Sequence, residues 1–308
     1  MRRTTTLTAA GLLGLALLVP TSASSAGAAS DTCAGEPATL VGTGPTVNGT
    51  EGRDVIVTGP ATTVLALGGD DTICVTTPRA AGPMHVDAGI GDDAVLMPVA
   101  DLAPGSTIAA GEGRDRLVAG HATALLTLDL KLDRFRVGQD VSTATAFEDA
   151  FMVAPEVAVL GDMGDNDLRF HGCMAKLRGG NGDDELVAVS GDPWFENYSF
   201  DCDASASMWG GPGVDRLRGG QGTDLLDGEG HRDRVEGRGG DDDVRGGDGT
   251  DIVFGGKGRD RITGDRGHDR LHGGAGRDTL IGGGGRDRAD GGQSRDRCVA
   301  EREKRCER

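Results

Sequence analysis

The sequence predicts an all-β chain built from short repeated strands, and three observations carry that prediction. Ten nine-residue units follow one another without a gap from Gly210 to Val299, with Gly first and Asp sixth in each. The eighth position is Leu, Val or Ile in the first eight units, from Leu217 to Leu280. Gly supplies 54 of the 308 residues while Phe, Trp and Tyr together make up 3%. A core of large interdigitated side chains is hard to assemble from that composition, and a thin repetitive architecture takes its place.

Four segments follow in order. Residues 1–28 read as a signal peptide: Arg2 and Arg3 form a basic start, Gly11 to Pro20 an apolar run, and Ala26-Gly27-Ala28 a small-residue cleavage site. No later stretch stays apolar for the length of a membrane span, so no transmembrane segment is expected. Residues 29–209 hold 28 acids against 10 bases and carry degenerate copies of the repeat. These are GTEGRDVIV at 49–57, ALGGDDTIC at 66–74, AGIGDDAVL at 88–96, AGEGRDRLV at 110–118 and GGNGDDELV at 179–187, with a weaker GDMGDNDLR at 161–169. Asp54, Asp71, Asp93 and Asp115 are separated by 17, 22 and 22 residues. We read residues 40–190 as an irregular parallel β-helix that keeps the glycine-aspartate turn on one side. Asp54, Asp93, Asp115 and Asp184 are candidate metal ligands there, or turn residues that only cap strands. Residues 188–208 interrupt the pattern with PWFENYSF, where Trp194, Phe195, Tyr198 and Phe200 either form a sugar-stacking loop or pack onto the solenoid.

Residues 210–299 are the regular repeat, with 18 acids balanced by 16 bases. Their sixth-position aspartates are Asp215, Asp224, Asp233, Asp242, Asp251, Asp260, Asp269, Asp278, Asp287 and Asp296. Gly210, Gly219, Gly246, Gly255 and Gly273 stand among the first-position glycines. Glycines at positions one, two and four let the backbone take positive φ and approach closely, turning carbonyl oxygens to a common point. The aspartate adds a short anionic oxygen, and an all-oxygen site without Cys or clustered His suits Ca²⁺ rather than zinc or copper. Positions seven to nine form a strand with the eighth side chain inward. His231 and Ser294 replace glycine at position four and put the third and last loops in question.

The pattern resembles the RTX, or haemolysin-type, calcium-binding repeat, over residues 210–299 strongly and 49–187 in degenerate form. That resemblance implies a right-handed parallel β-roll with two nonapeptides per turn and ions held between loops of successive turns. Asp215 then works with Asp233, and Asp224 with Asp242, giving about eight sites in ten units. The apolar positions are few against 90 residues to be ordered, so the segment is expected to fold on binding calcium.

Six cysteines in an exported chain favour disulfides; spacing suggests Cys33–Cys74, Cys173–Cys202 and Cys298–Cys306, but of about fifteen possible pairings only Cys298–Cys306, the closest pair, is singled out and the others stay open. Residues 300–308 are then a cap closed by the last pair. Family members often carry an enzymatic domain, but neither H-E-x-x-H nor G-x-S-x-G occurs and the histidines lack ligand spacing. The expectation is a non-enzymatic, secreted, extracellular bacterial protein that binds calcium for a structural or surface-interaction role. The enzymatic alternative is a carbohydrate lyase or epimerase built on the upstream β-helix. A monomer is expected, with calcium ions and an anionic or neutral surface polysaccharide as partners, and no nucleic acid. A row of seventh-position residues, Arg216, Arg234, Ile252, Arg270 and Arg288, offers a ladder for an anionic polymer, or solvated strand faces that blunt aggregation.

Overall fold

A computed structural model describes residues 32–77, 79–97, 102–189 and 200–306. The expected export leader and the aromatic residues Trp194, Phe195 and Tyr198 lie outside the described residues. What is described is a parallel β-solenoid of about 14 turns, with one sheet of 14 strands and one of 16. Its helical content among the described residues is the single 3-10 turn Arg79–Ala81.

The repeat sets the winding. In one sheet Leu217, Val235, Val253, Leu271 and Ala289 pair in register, each 18 residues after the last. In the other Leu226, Val244, Ile262, Leu280 and Cys298 do the same. Two nonapeptides therefore make one turn, and the eighth-position side chains form a buried column on each sheet. Burying an aliphatic side chain of this size stabilises by about 1.5–3 kcal/mol.

Arg216–Arg218, Thr279–Ile281 and Arg297–Val299 are the three-residue strands expected, and the other strands starting at position seven are longer. Arg234–Gly239, Ile252–Lys257 and Arg261–Gly267 all start at position seven but run into the next unit. Alternation along such a strand turns position one inward as well as position eight. The first-position glycines are accordingly buried, and that limits what can stand there.

Upstream, the interior is wider and filled by larger groups, among them Phe135, Phe170, Met97 and Met152. Turns lengthen to match: Ile73 pairs with Val95, and Val95 with Leu117, 22 residues apart. The strands Leu126–Asp129, Arg134–Val137 and Asp140–Thr145 pair antiparallel inside the 16-stranded sheet. The spacing of acidic residues carries no trace of this insertion, because its strands have no glycine-aspartate turns between them.

Cys33–Cys74, Cys173–Cys202 and Cys298–Cys306 are all bonded. The first ties the antiparallel pair Thr32–Cys33 and Glu36–Pro37 to the solenoid. The last joins the residues after Arg302–Lys304, the final strand of its sheet, to the preceding turn.

Candidate metal centres along two aspartate ladders

The ten repeat aspartates fall on the two sides of the roll, five to a side, and all are at most 3% exposed. On one side the main-chain N–H of Asp215 donates to Oδ1 of Asp233, and the same bond links Asp233 to Asp251, Asp251 to Asp269 and Asp269 to Asp287. On the other side it links Asp224, Asp242, Asp260, Asp278 and Asp296 in turn. These eight bonds measure 2.8–3.1 Å. Each carboxylate thus spends one oxygen holding the backbone of the preceding turn.

The other oxygen is left over. Oδ2 is buried without a hydrogen-bond partner in every repeat aspartate except Asp224, where the N–H of Gly220 donates to it at 2.7 Å. A buried anionic oxygen with no donor is costly, and the titration behaviour reflects this. Loss of solvation pushes Asp233 and Asp242 up to about 8, Asp269 to about 7, and Asp215, Asp224, Asp251, Asp260 and Asp278 to about 6. The ladder hydrogen bonds pull the other way and lose.

The free oxygen lies against the first-position glycine of its own unit. A Cβ on Gly210 would meet Oδ2 of Asp215 and come within 2.8 Å of the carbonyl oxygen of Gly228, one turn on. Gly219 with Asp224, Gly246 with Asp251, Gly255 with Asp260 and Gly273 with Asp278 repeat the arrangement. This corrects half of the expectation for the first position: glycine stands there for close approach and not for positive φ. None of the ten first-position glycines has positive φ; they are excluded from growing a side chain by the carboxylate and the next carbonyl. Positive φ belongs to position two, as at Gly256 with φ 122°, and in most units to position four. His231 and Ser294 hold that fourth-position conformation at φ 81° and 84° despite their side chains, so both irregular loops keep the common backbone path.

A divalent cation fits these residues. The donors are hard oxygens, one unpartnered carboxylate oxygen per loop with glycine carbonyls beside it, the kind of set calcium takes at several positions at once. Among the described residues no three His, Cys, Asp or Glu side chains converge on one point. A cation here would be held by backbone carbonyls as much as by aspartate.

The first ladder runs on upstream. Asp184 donates its N–H to Asp215 at 2.8 Å, and its own free Oδ2 faces Gly179 as in the repeats, with a pKa raised to about 7 by burial. Asn166 donates to Asp184 through its main chain and to the carbonyl of Glu148 through Nδ2. Farther on, Asp54, Asp71, Asp93, Asp115 and Glu148 form successive rungs. Asp93 and Asp115 keep a buried free oxygen, and burial raises them to about 7 and about 6. Their first positions, however, are Ala88 and Ala110, whose buried methyl groups stand where the repeats have bare glycine. Asp54 differs again. Thr39 donates to its Oδ1, and Thr50 donates to its Oδ2 through both N–H and hydroxyl, which is the geometry of a turn cap.

Three rungs escape the repeat pattern. Glu148 and Glu301 each accept the N–H of a ladder aspartate, Asp115 and Asp287, at 2.7 Å, and Asn166 stands where aspartate was expected. The glutamates lie outside any nonapeptide: an 18-residue count back from Asn166 reaches Glu148, but Glu301 follows Asp287 by only 14 residues and no count of the repeat reaches it. Phe200, the described member of the aromatic loop, packs near the His171 ring with centroids 5.7 Å apart.

Fold and site together define a parallel β-solenoid with stacked aspartate-glycine loops on both sides of its C-terminal turns. The segment 209–298 matches the RTX calcium-binding nonapeptide repeat family, with matches over 209–244, 245–280 and 263–298. No curated protein matches the chain.

Proposed function

We propose that this is a secreted calcium-binding protein without catalytic activity, whose repeats fold as the ions bind and which serves a structural or surface-interaction role. The observation that carries the reading is the buried Oδ2 left without a donor in nine of the ten repeat aspartates. Eight pairs of aspartates on adjacent turns correspond to about eight ions, each held by one carboxylate from either turn and by loop carbonyls. Three disulfides support export to an oxidising compartment, as does the leader-like start of the chain.

Calorimetric titration of the purified protein with calcium, alongside far-ultraviolet circular dichroism, tests the reading. The expected result is uptake of about eight ions together with a gain of strand signal. Equal strand content in excess chelator and in millimolar calcium would refute coupled folding, and no heat of uptake would refute the calcium function.

The carbohydrate-active alternative draws on one feature. A groove of about 720 Å³ is lined by Asp129, Lys131, Asp162, Arg178, Trp209 and Glu229, with Arg178 lying over the indole at 4.7 Å. Turnover of a uronate polymer, abolished by Asp162→Asn, would support it over the non-enzymatic reading.

A further inference from the structure

The outer face of the 14-stranded sheet carries a row of cations that the calcium sites leave unused. Arg216, Arg234, Ile252, Arg270, Arg288 and Arg302 pair in register, strand by strand. Adjacent strands lie about 4.8 Å apart, so the guanidinium groups emerge on one line at that interval. All five arginines are exposed.

The same row continues upstream as Asp149, Asp167 and Glu185, and there every acid has a cation. Asp149 pairs with Arg114 and Arg116, Asp167 with Arg169 and Arg116, and Glu185 lies within 4 Å of Arg169 and Arg218. Downstream that compensation stops. Arg234 is engaged by Glu236 and by the ring of Phe254, but Arg216, Arg270, Arg288 and Arg302 have no carboxylate partner among the described residues. The acids of the neighbouring row are committed elsewhere: Asp290 pairs with Lys304 and Arg305. Arg288 and Arg302 also border two hollows of mixed charge, one of about 290 Å³ shared with Arg270, His272, Asp290 and Glu303, the other of about 510 Å³ shared with His268, Arg286, Asp287 and Glu301.

We propose that this row is a docking surface for a linear anionic polysaccharide, lying along the solenoid axis with its acidic groups against Arg216, Arg270, Arg288 and Arg302. The row offers Arg216 and then, past Arg234 with its Glu236 partner and the uncharged Ile252, three arginines on successive strands, Arg270, Arg288 and Arg302, which suits a polymer whose own charges recur along an extended chain. Single-stranded nucleic acid fits less well, because its bases need open aromatic faces. The two rings on this face, Phe254 and His272, are stacked on each other with centroids 4.9 Å apart. The docking surface goes beyond the calcium function but rests on it, since the row exists only where the C-terminal turns are folded.

The test uses the full protein in saturating calcium and short polygalacturonate oligomers as the probe, with affinity measured at several salt concentrations. The expected result is salt-sensitive binding, weakened about tenfold or more when Arg216, Arg270, Arg288 and Arg302 are all replaced by serine. Replacement by lysine is expected to retain most of the affinity, and serine at Arg259 and Arg277, outside the row, to change little. Calcium-dependent circular dichroism on each variant separates loss of the surface from loss of the fold. If the fourfold variant misfolds, Arg288→Ser and Arg302→Ser are measured singly, each with an expected loss of about threefold. Unchanged affinity in the serine variants, an equal loss in the Arg259 and Arg277 control, or preferential displacement by oligothymidylate would overturn the proposal.

Discussion

The main-chain N–H of Asp251 donates to Oδ1 of Asp269, one turn later, at 2.9 Å, and Oδ2 of Asp269 is buried with no donor. One side chain thereby joins two turns and offers an oxygen to something the polypeptide does not supply. The behaviour of the roll in solution follows from that division.

Without calcium the residual fold of the roll is expected to be fuller at pH 5 than at pH 8. The folded state raises several aspartates from 3.8 to about 6, 7 or 8, so between about pH 4 and 8 it binds more protons than the unfolded chain. Stability is then greatest below the unfolded value and is lost as pH rises through the folded ones. Calcium affinity has the opposite sign, because the ion requires the deprotonated carboxylate. Far-ultraviolet circular dichroism in chelator and calcium titrations at both pH values check the pair, and more strand signal in chelator at pH 8 than at pH 5 contradicts it.

Asp251→Asn keeps an acceptor for the ladder bond and turns the stranded oxygen into an amide. The expected result is a chelated protein at least as stable as the parent. Stoichiometry in calcium is expected to fall by about two ions, one for each neighbouring turn. Calorimetry of parent and variant under the same conditions measures both.

Gly255→Ala should cost about 1–3 kcal/mol by overpacking, since the methyl would meet the Asp260 carboxylate and the Gly273 carbonyl at an ordinary φ. It should also weaken calcium binding, because both blocked groups are candidate donors. Denaturant melts and a calcium titration give the two readouts.

Leu271→Ala in the middle of an eighth-position column, where the side chain is fully buried, is expected to cost about 2–5 kcal/mol. Melts in saturating calcium measure it.

Much of this was legible in the sequence, and the reasons are particular. Leu217 and Val235 could be stacked in advance because the nonapeptide runs uninterrupted and its resemblance to the RTX repeat implies two units per turn. The aspartates at position six could be named because their spacing never slips between Asp215 and Asp296. The role of Gly255 was misread in part, since sequence shows that a side chain is absent but not whether conformation or space forbids it. The hairpin at Arg134–Val137 and the rungs at Glu148 and Glu301 were missed because they break the period that made the rest readable. The different settings of Asp54 and Asp184 were also out of reach: each follows G-x-x-G, and only contacts with Thr39 and Thr50 set the first apart.

The ladder bonds also give the solenoid a direction. Each sixth-position aspartate of the ladders accepts from the backbone of the turn before it, and Glu301 does this for Asp287 at the far end. The ladder bond of a turn is therefore made only by its successor, and a chain emerging from its N-terminal side leaves that bond open at its growing edge. Completion is consequently reported from the C-terminal end, and losing those few residues would reopen a seam that every earlier coil had already passed forward.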